Sequence, residues 1–150
     1  MEHDDNEMKV ISKLFVSKEK MIEKLKMLVN LSYGLITVVN ETGEVLFEDD
    51  VESLSNSEKI FLLLLGSYFS FKSGLRDDVD VTLSEIANKL NVPNTTISAP
   101  MSNLLERSLV LKSKKGSYRI NINNYKRIKE TLIRLRNKIG KNEVNENDNS

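Results

Sequence analysis

Between Thr82 and Leu105 two apolar stripes at helical spacing are separated by only four residues, Asn91-Val92-Pro93-Asn94. So short a turn, with proline in it, predicts that one helix ends and a second begins almost at once. Thr82-Leu83-Ser84-Glu85 fits a capping box, Thr82 accepting a backbone N–H and Glu85 reaching back. Ile86, Ala87 and Leu90 form the inner face of the first helix, and Ile97, Met101, Leu104 and Leu105 the i, i+4, i+7, i+8 stripe of the second. Ala87 is small where the two helices cross, and Val92 plugs the turn. Anchored this way, the second helix presents Asn94, Thr95, Thr96, Ser98, Ala99 and Ser102 outward.

The flanking sequence predicts an organisation around this pair. Met1 to Glu7 reads as polar and frayed. From Met8 to Asn30 the apolar residues recur at helical spacing, with Ser17 placed to cap a second helix and divide the stretch in two. Leu35–Val39 and Glu44–Glu48 around Asn40-Glu41-Thr42-Gly43 read as a hairpin that must pack on helices. Asp49 to Asn56 is an acidic connector. Ser55 or Ser57 then caps an all-round apolar helix to about Lys72. Leu109-Val110-Leu111 and Tyr118–Ile122 are short strands joined by the basic turn Lys114-Lys115-Gly116-Ser117. Tyr125, Ile128, Leu132, Leu135 and Ile139 mark a final helix to about Lys138. The expected division is residues 1–52 (helix and hairpin extension), 53–123 (central domain), 124–140 (C-terminal helix) and 141–150 (a disordered tail).

The run Thr82-Leu83-Ser84-Glu85-Ile86-Ala87-Asn88-Lys89-Leu90-Asn91-Val92-Pro93-Asn94-Thr95-Thr96-Ile97-Ser98 resembles the helix-turn-helix core of bacterial and archaeal regulators. Leu104 to Leu111 resembles the helix end and first wing strand that follow in such proteins. Over residues 55–123 the chain looks like a winged helix-turn-helix domain. The resemblance implies a fold that is α+β and mostly α, extended by an N-terminal helix with its β-hairpin and by a C-terminal helix. It implies a transcriptional regulator whose partner is double-stranded DNA, with a recognition helix at about 94–107 entering the major groove. A wing over 112–119 would set Lys112, Lys114, Lys115, Ser117 and Arg119 beside the backbone or the minor groove. It also implies a cytoplasmic protein. A homodimer through the N- and C-terminal helices would place two recognition helices about one DNA turn apart. The other reading of the same fold is a protein-interaction module in a larger complex, without nucleic acid.

Three features depart from the pattern. Pro100 falls inside the presumed recognition helix, so the helix either kinks there or begins near Ser98 with Pro100 in its first turn. Ser108 stands where related domains often have a glycine with positive φ. The outward face has no Arg, Lys or Gln before Arg107, so the strongest bidentate base readers are missing. Phosphate contacts should therefore lead the binding.

Composition narrows the alternatives. Cysteine is absent and His3 is the single histidine, which leaves no thiolate chemistry, no Cys/His metal site and no His-based triad. An enzyme, a cofactor and a metal centre are not expected. Asp77, Asp78 and Asp80 lack the glycine and closing glutamate of an EF-hand and read as a solvated loop. The apolar run Ile60 to Gly66 is far shorter than the ~20 residues of a membrane helix. The acidic opening Glu2, Asp4, Asp5, Glu7 is unlike a signal peptide. The zero net charge hides a split: residues 1–92 hold 10 basic and 17 acidic side chains (−7), residues 93–138 hold 11 and 2 (+9), and the rest 1 and 3 (−2). A +9 segment suits a phosphate-facing surface, or else attraction between the two halves.

Overall fold

Helix formation starts earlier than the polar opening suggests. In the computed structural model, which describes residues 2–15 and 17–141, α1 runs over Glu2–Ile11. Residues 2–7 are therefore helical rather than frayed. A 3₁₀ turn at Ser12–Leu14 follows, and α2 spans Lys18–Ser32. The expected division at Ser17 is present, with its hydroxyl accepting from the Lys20 N–H at 3.2 Å.

Strands β1 (Ile36–Val38) and β2 (Val45–Phe47) form an antiparallel hairpin with Ile36 opposite Phe47. It lies on α3 (Asn56–Lys72), capped by Ser55 through a full Ser55/Glu58 box. Gly66 makes this packing possible, since a Cβ there would stand 2.7 Å from Val45 Cγ1 and 3.1 Å from Ile36 Cδ1. Helix α3 is buried on all sides from Ile60 to Ser67, as its unbroken apolar run demands. The acidic connector coils into a 3₁₀ turn, Asp49–Ser53, held by a wholly buried Val51.

The second half contributes β3 (Val81–Thr82), α4 (Leu83–Leu90), a 3₁₀ turn (Asn94–Thr96), α5 (Ser98–Glu106), β4 (Val110–Lys112), β5 (Ser117–Ile120) and α6 (Tyr125–Lys138). The strands form one antiparallel sheet in the order β3-β5-β4. The chain is thus α+β and mostly helical, with two small antiparallel sheets. Strand β3 was not anticipated, because two residues display no periodicity.

One apolar core joins Leu28 and Leu31 of α2, the hairpin, α3, α4, α5, the second sheet and α6. The stripe on α6 is covered within the chain: Ile128, Leu132 and Leu135 are wholly buried, with α2 packed against the helix. The apolar face expected to serve dimerisation at the C-terminal helix is therefore already occupied. Arg136 fixes this packing, donating from Nη1 to the carbonyls of Leu31 (3.0 Å) and Tyr33 (2.6 Å) at the C-terminus of α2. A cation there also meets the negative end of the α2 dipole. Among the described residues no helix is long and apolar enough to cross a membrane. Residues 142–150, most of the expected tail, lie outside the described residues.

Candidate nucleic-acid interface

Pro100 decides where the outward helix starts. Its nitrogen carries no hydrogen and its ring collides with a carbonyl one turn back, so it fits only near a helix beginning. In α5 it is the third residue, where an N–H has no intrahelical partner in any case. The regular helix accordingly covers Ser98–Glu106 rather than the 94–107 expected from sequence. Residues 94–96 instead make a 3₁₀ turn, with Thr96 N–H donating to Pro93 O (3.0 Å) and Ile97 N–H to Asn94 O (3.1 Å).

Ahead of it, Thr82 and Glu85 form the expected capping box of α4. Asn91 ends that helix in the left-handed region at φ 57°, a conformation asparagine tolerates better than most residues. Val92 N–H then donates to Ala87 O at 3.0 Å and closes the turn. Ile97, Met101 and Leu104 are buried beneath α5. All six residues expected to face outward are exposed: Asn94, Thr95, Thr96, Ser98, Ala99 and Ser102. Asn103 joins them, one turn beyond Ala99, where an i, i+4 count from Ala99 would have found it.

In the β4–β5 hairpin, Lys112, Lys114 and Lys115 are exposed. Gly116 turns the chain at φ 77°, and its carbonyl accepts from Leu83 N–H at 2.8 Å, tying the turn to the start of α4. The two other hairpin residues of the expected interface are otherwise engaged. Ser117 is buried and closes the turn through backbone bonds to Ser113 and Lys114. Arg119 donates from Nε and Nη2 to the two carboxylate oxygens of Asp80, at 2.7 and 3.0 Å. The hydrogen bonds from Arg119 hold Asp80 below the usual carboxylate range against the opposing effect of burial, with further help from Ser113. The loop read as solvated is in fact organised: Asp80 is buried, and Arg76 bonds the Asp78 and Asp80 carbonyls and the Glu85 carboxylate. The missed signal was Arg76 and Arg119 as counter-charges.

A basic flank also borders α5. A cleft of about 480 Å³ is lined by Ala99, Pro100 and Asn103 from α5 together with Arg107, Arg134, Lys138 and the first turn of α3. Glu58 is the carboxylate there. Burial raises its pKa, but hydrogen bonds from Lys138 (Nζ–Oε1 2.8 Å) and the Ser55 N–H outweigh that and bring it below the ordinary value. Arg107 is depressed by burial first, then by repulsion from Arg134 and Arg127. Two guanidinium groups, Arg107 and Arg134, and the Lys138 ammonium thus surround one carboxylate, an arrangement that favours an added anion. The approach of Arg134 and Lys138 from α6 to α5 depends on tertiary packing and leaves no local signal in the sequence.

Among the described residues no group of three or more His, Cys, Asp or Glu side chains is placed to hold a metal ion. No protein-family model, curated protein or solved structure matches the chain.

Proposed function

We propose that this chain is a winged helix-turn-helix protein that binds duplex DNA and regulates transcription. The observation that carries the reading is the exposed, uncharged polar surface of residues 94–103 bordered by the Arg107, Arg134 and Lys138 cleft. A major groove admits a helix whose first turns reach base edges, and cations beside it meet phosphates. Asn94 and Asn103 carry the amide that pairs with adenine, and Thr95 and Ala99 suit a thymine methyl. Lys112, Lys114 and Lys115 are free to meet a neighbouring backbone from the wing. Phosphate contacts dominate, and base discrimination is modest because no Arg, Lys or Gln stands on the outward face of α5.

A protein-interaction surface at this position would call for apolar side chains. Among the described residues, none of the large hydrophobics that are exposed lies between 94 and 106. Fluorescence anisotropy with a mixed-sequence duplex tests the reading. Six phosphate-facing cations give a log K against log salt slope of about −5.4, a loss of roughly 2,000-fold between 50 and 200 mM salt. No binding at low salt, or binding indifferent to salt, would overturn it.

A further inference from the structure

Half of the exposed large hydrophobics among the described residues, seven of fourteen, fall on α1, the turn after it and the first half of α2. Leu14 and Phe15 at the bend are 83% and 65% exposed, and Met8, Val10, Ile11, Met21 and Ile22 are exposed on either side. The far end of α2 is anchored, with Leu28 and Leu31 buried and Arg136 bonded to the carbonyls of Leu31 and Tyr33.

Charge indicates what covers this apolar arm. Residues 1–8 carry four carboxylates and no Lys or Arg, whereas residues 9–26 carry six lysines against two glutamates, so the arm runs from −4 to +4. Side by side in the same direction, two arms would set acid on acid and base on base. In opposite directions each acidic α1 lies along the basic α2 of the other copy. Folding α1 back on its own α2 would use the same complementarity but leave Leu14 and Phe15, the apex of the bend, in water. We infer that a second copy of this chain covers the arm, the two arms pairing antiparallel about a two-fold axis near Leu14 and Phe15. An isologous contact of this kind closes on itself and stops at two chains.

Sedimentation velocity on the full chain without DNA tests the pairing independently of the proposed function. A dimer is expected at micromolar concentration. Leu14→Asp with Phe15→Asp should raise the dissociation constant at least 100-fold with an unchanged circular dichroism spectrum, because both side chains are solvent-exposed in the protomer. The chain has no cysteine, so single cysteines report the orientation. Leu14→Cys should crosslink to its own copy, Met8→Cys alone should not, and Met8→Cys mixed with Met21→Cys should. A monomer at 100 µM, a dimer untouched by the double aspartate variant, or self-crosslinking of Met8→Cys would each overturn the proposal.

Discussion

Asp80 and Arg119 join β3 to β5 beneath the proposed wing, and Asp80→Asn measures what that tie is worth. The substitution keeps the shape of the side chain and removes its charge, leaving Arg119 one neutral acceptor in place of two charged ones. The Asp80 side chain is 5% exposed and that of Arg119 39%, so the arginine can recover part of its hydration once the carboxylate is gone. The cost should therefore fall between the 0–1 kcal/mol of a surface pair and the 3–5 kcal/mol of a broken buried one, at about 2 kcal/mol. For a chain of this length that lowers Tm by roughly 4–8 °C. The effect also depends on pH. Because Asp80 titrates below its unfolded-state value, its contribution is complete above the unfolded range near pH ~4 and is lost as pH falls through the lower folded value. Urea unfolding of both chains at pH 7 and pH 3 reads the difference directly; Glu58, also depressed, is present in both and cancels. A gap under about 0.5 kcal/mol at neutral pH, or one equally large in acid, would refute the reasoning.

Gly66→Ala should destabilise by about 1–2 kcal/mol in thermal unfolding, since the added Cβ meets Val45 at 2.7 Å and the overpacking exceeds the gain in helix propensity. A stabilised variant would mean that the hairpin moves away freely. Ser108 holds φ 57°, so Ser108→Gly should raise stability by up to about 1 kcal/mol, and a loss of stability would show that no strain resides there. Lys114→Ala with Lys115→Ala should weaken duplex binding on every sequence and reduce the salt slope by about 2. Unchanged binding would remove the wing from the interface. Arg107→Ala should reduce the slope by about 1, with no change attributable to base sequence.

Local chemistry was legible wherever a residue type and its spacing act within one turn of chain. Ser17, Ser55 and Thr82 start the helices their positions suggest, and Ile97, Met101 and Leu104 are the buried anchors of α5. Pro100 left two geometries open, and the first-turn placement is the one adopted. What escaped the sequence depends on distant partners. Strand β3 exists because Val81 and Thr82 pair with Tyr118 and Ser117. Asp80 looked like solvated surface until Arg119, 39 positions on, enclosed it. Arg134 and Lys138 reach α5 from α6, whose orientation is set by packing on α2 and by their ion pairs to Glu58 of α3. The stripe of α6 was visible, but which surface covers it was not.

The account rests on residues 94–103 and 112–115 meeting the same duplex. Backbone amide chemical shifts of the labelled protein, followed while a short duplex is added at low salt, locate the contact residue by residue. Shifts concentrated in those two segments and around Arg107 are the expected result. Shifts confined to α1, α2 or the β1–β2 hairpin, with residues 94–103 unmoved, would contradict it.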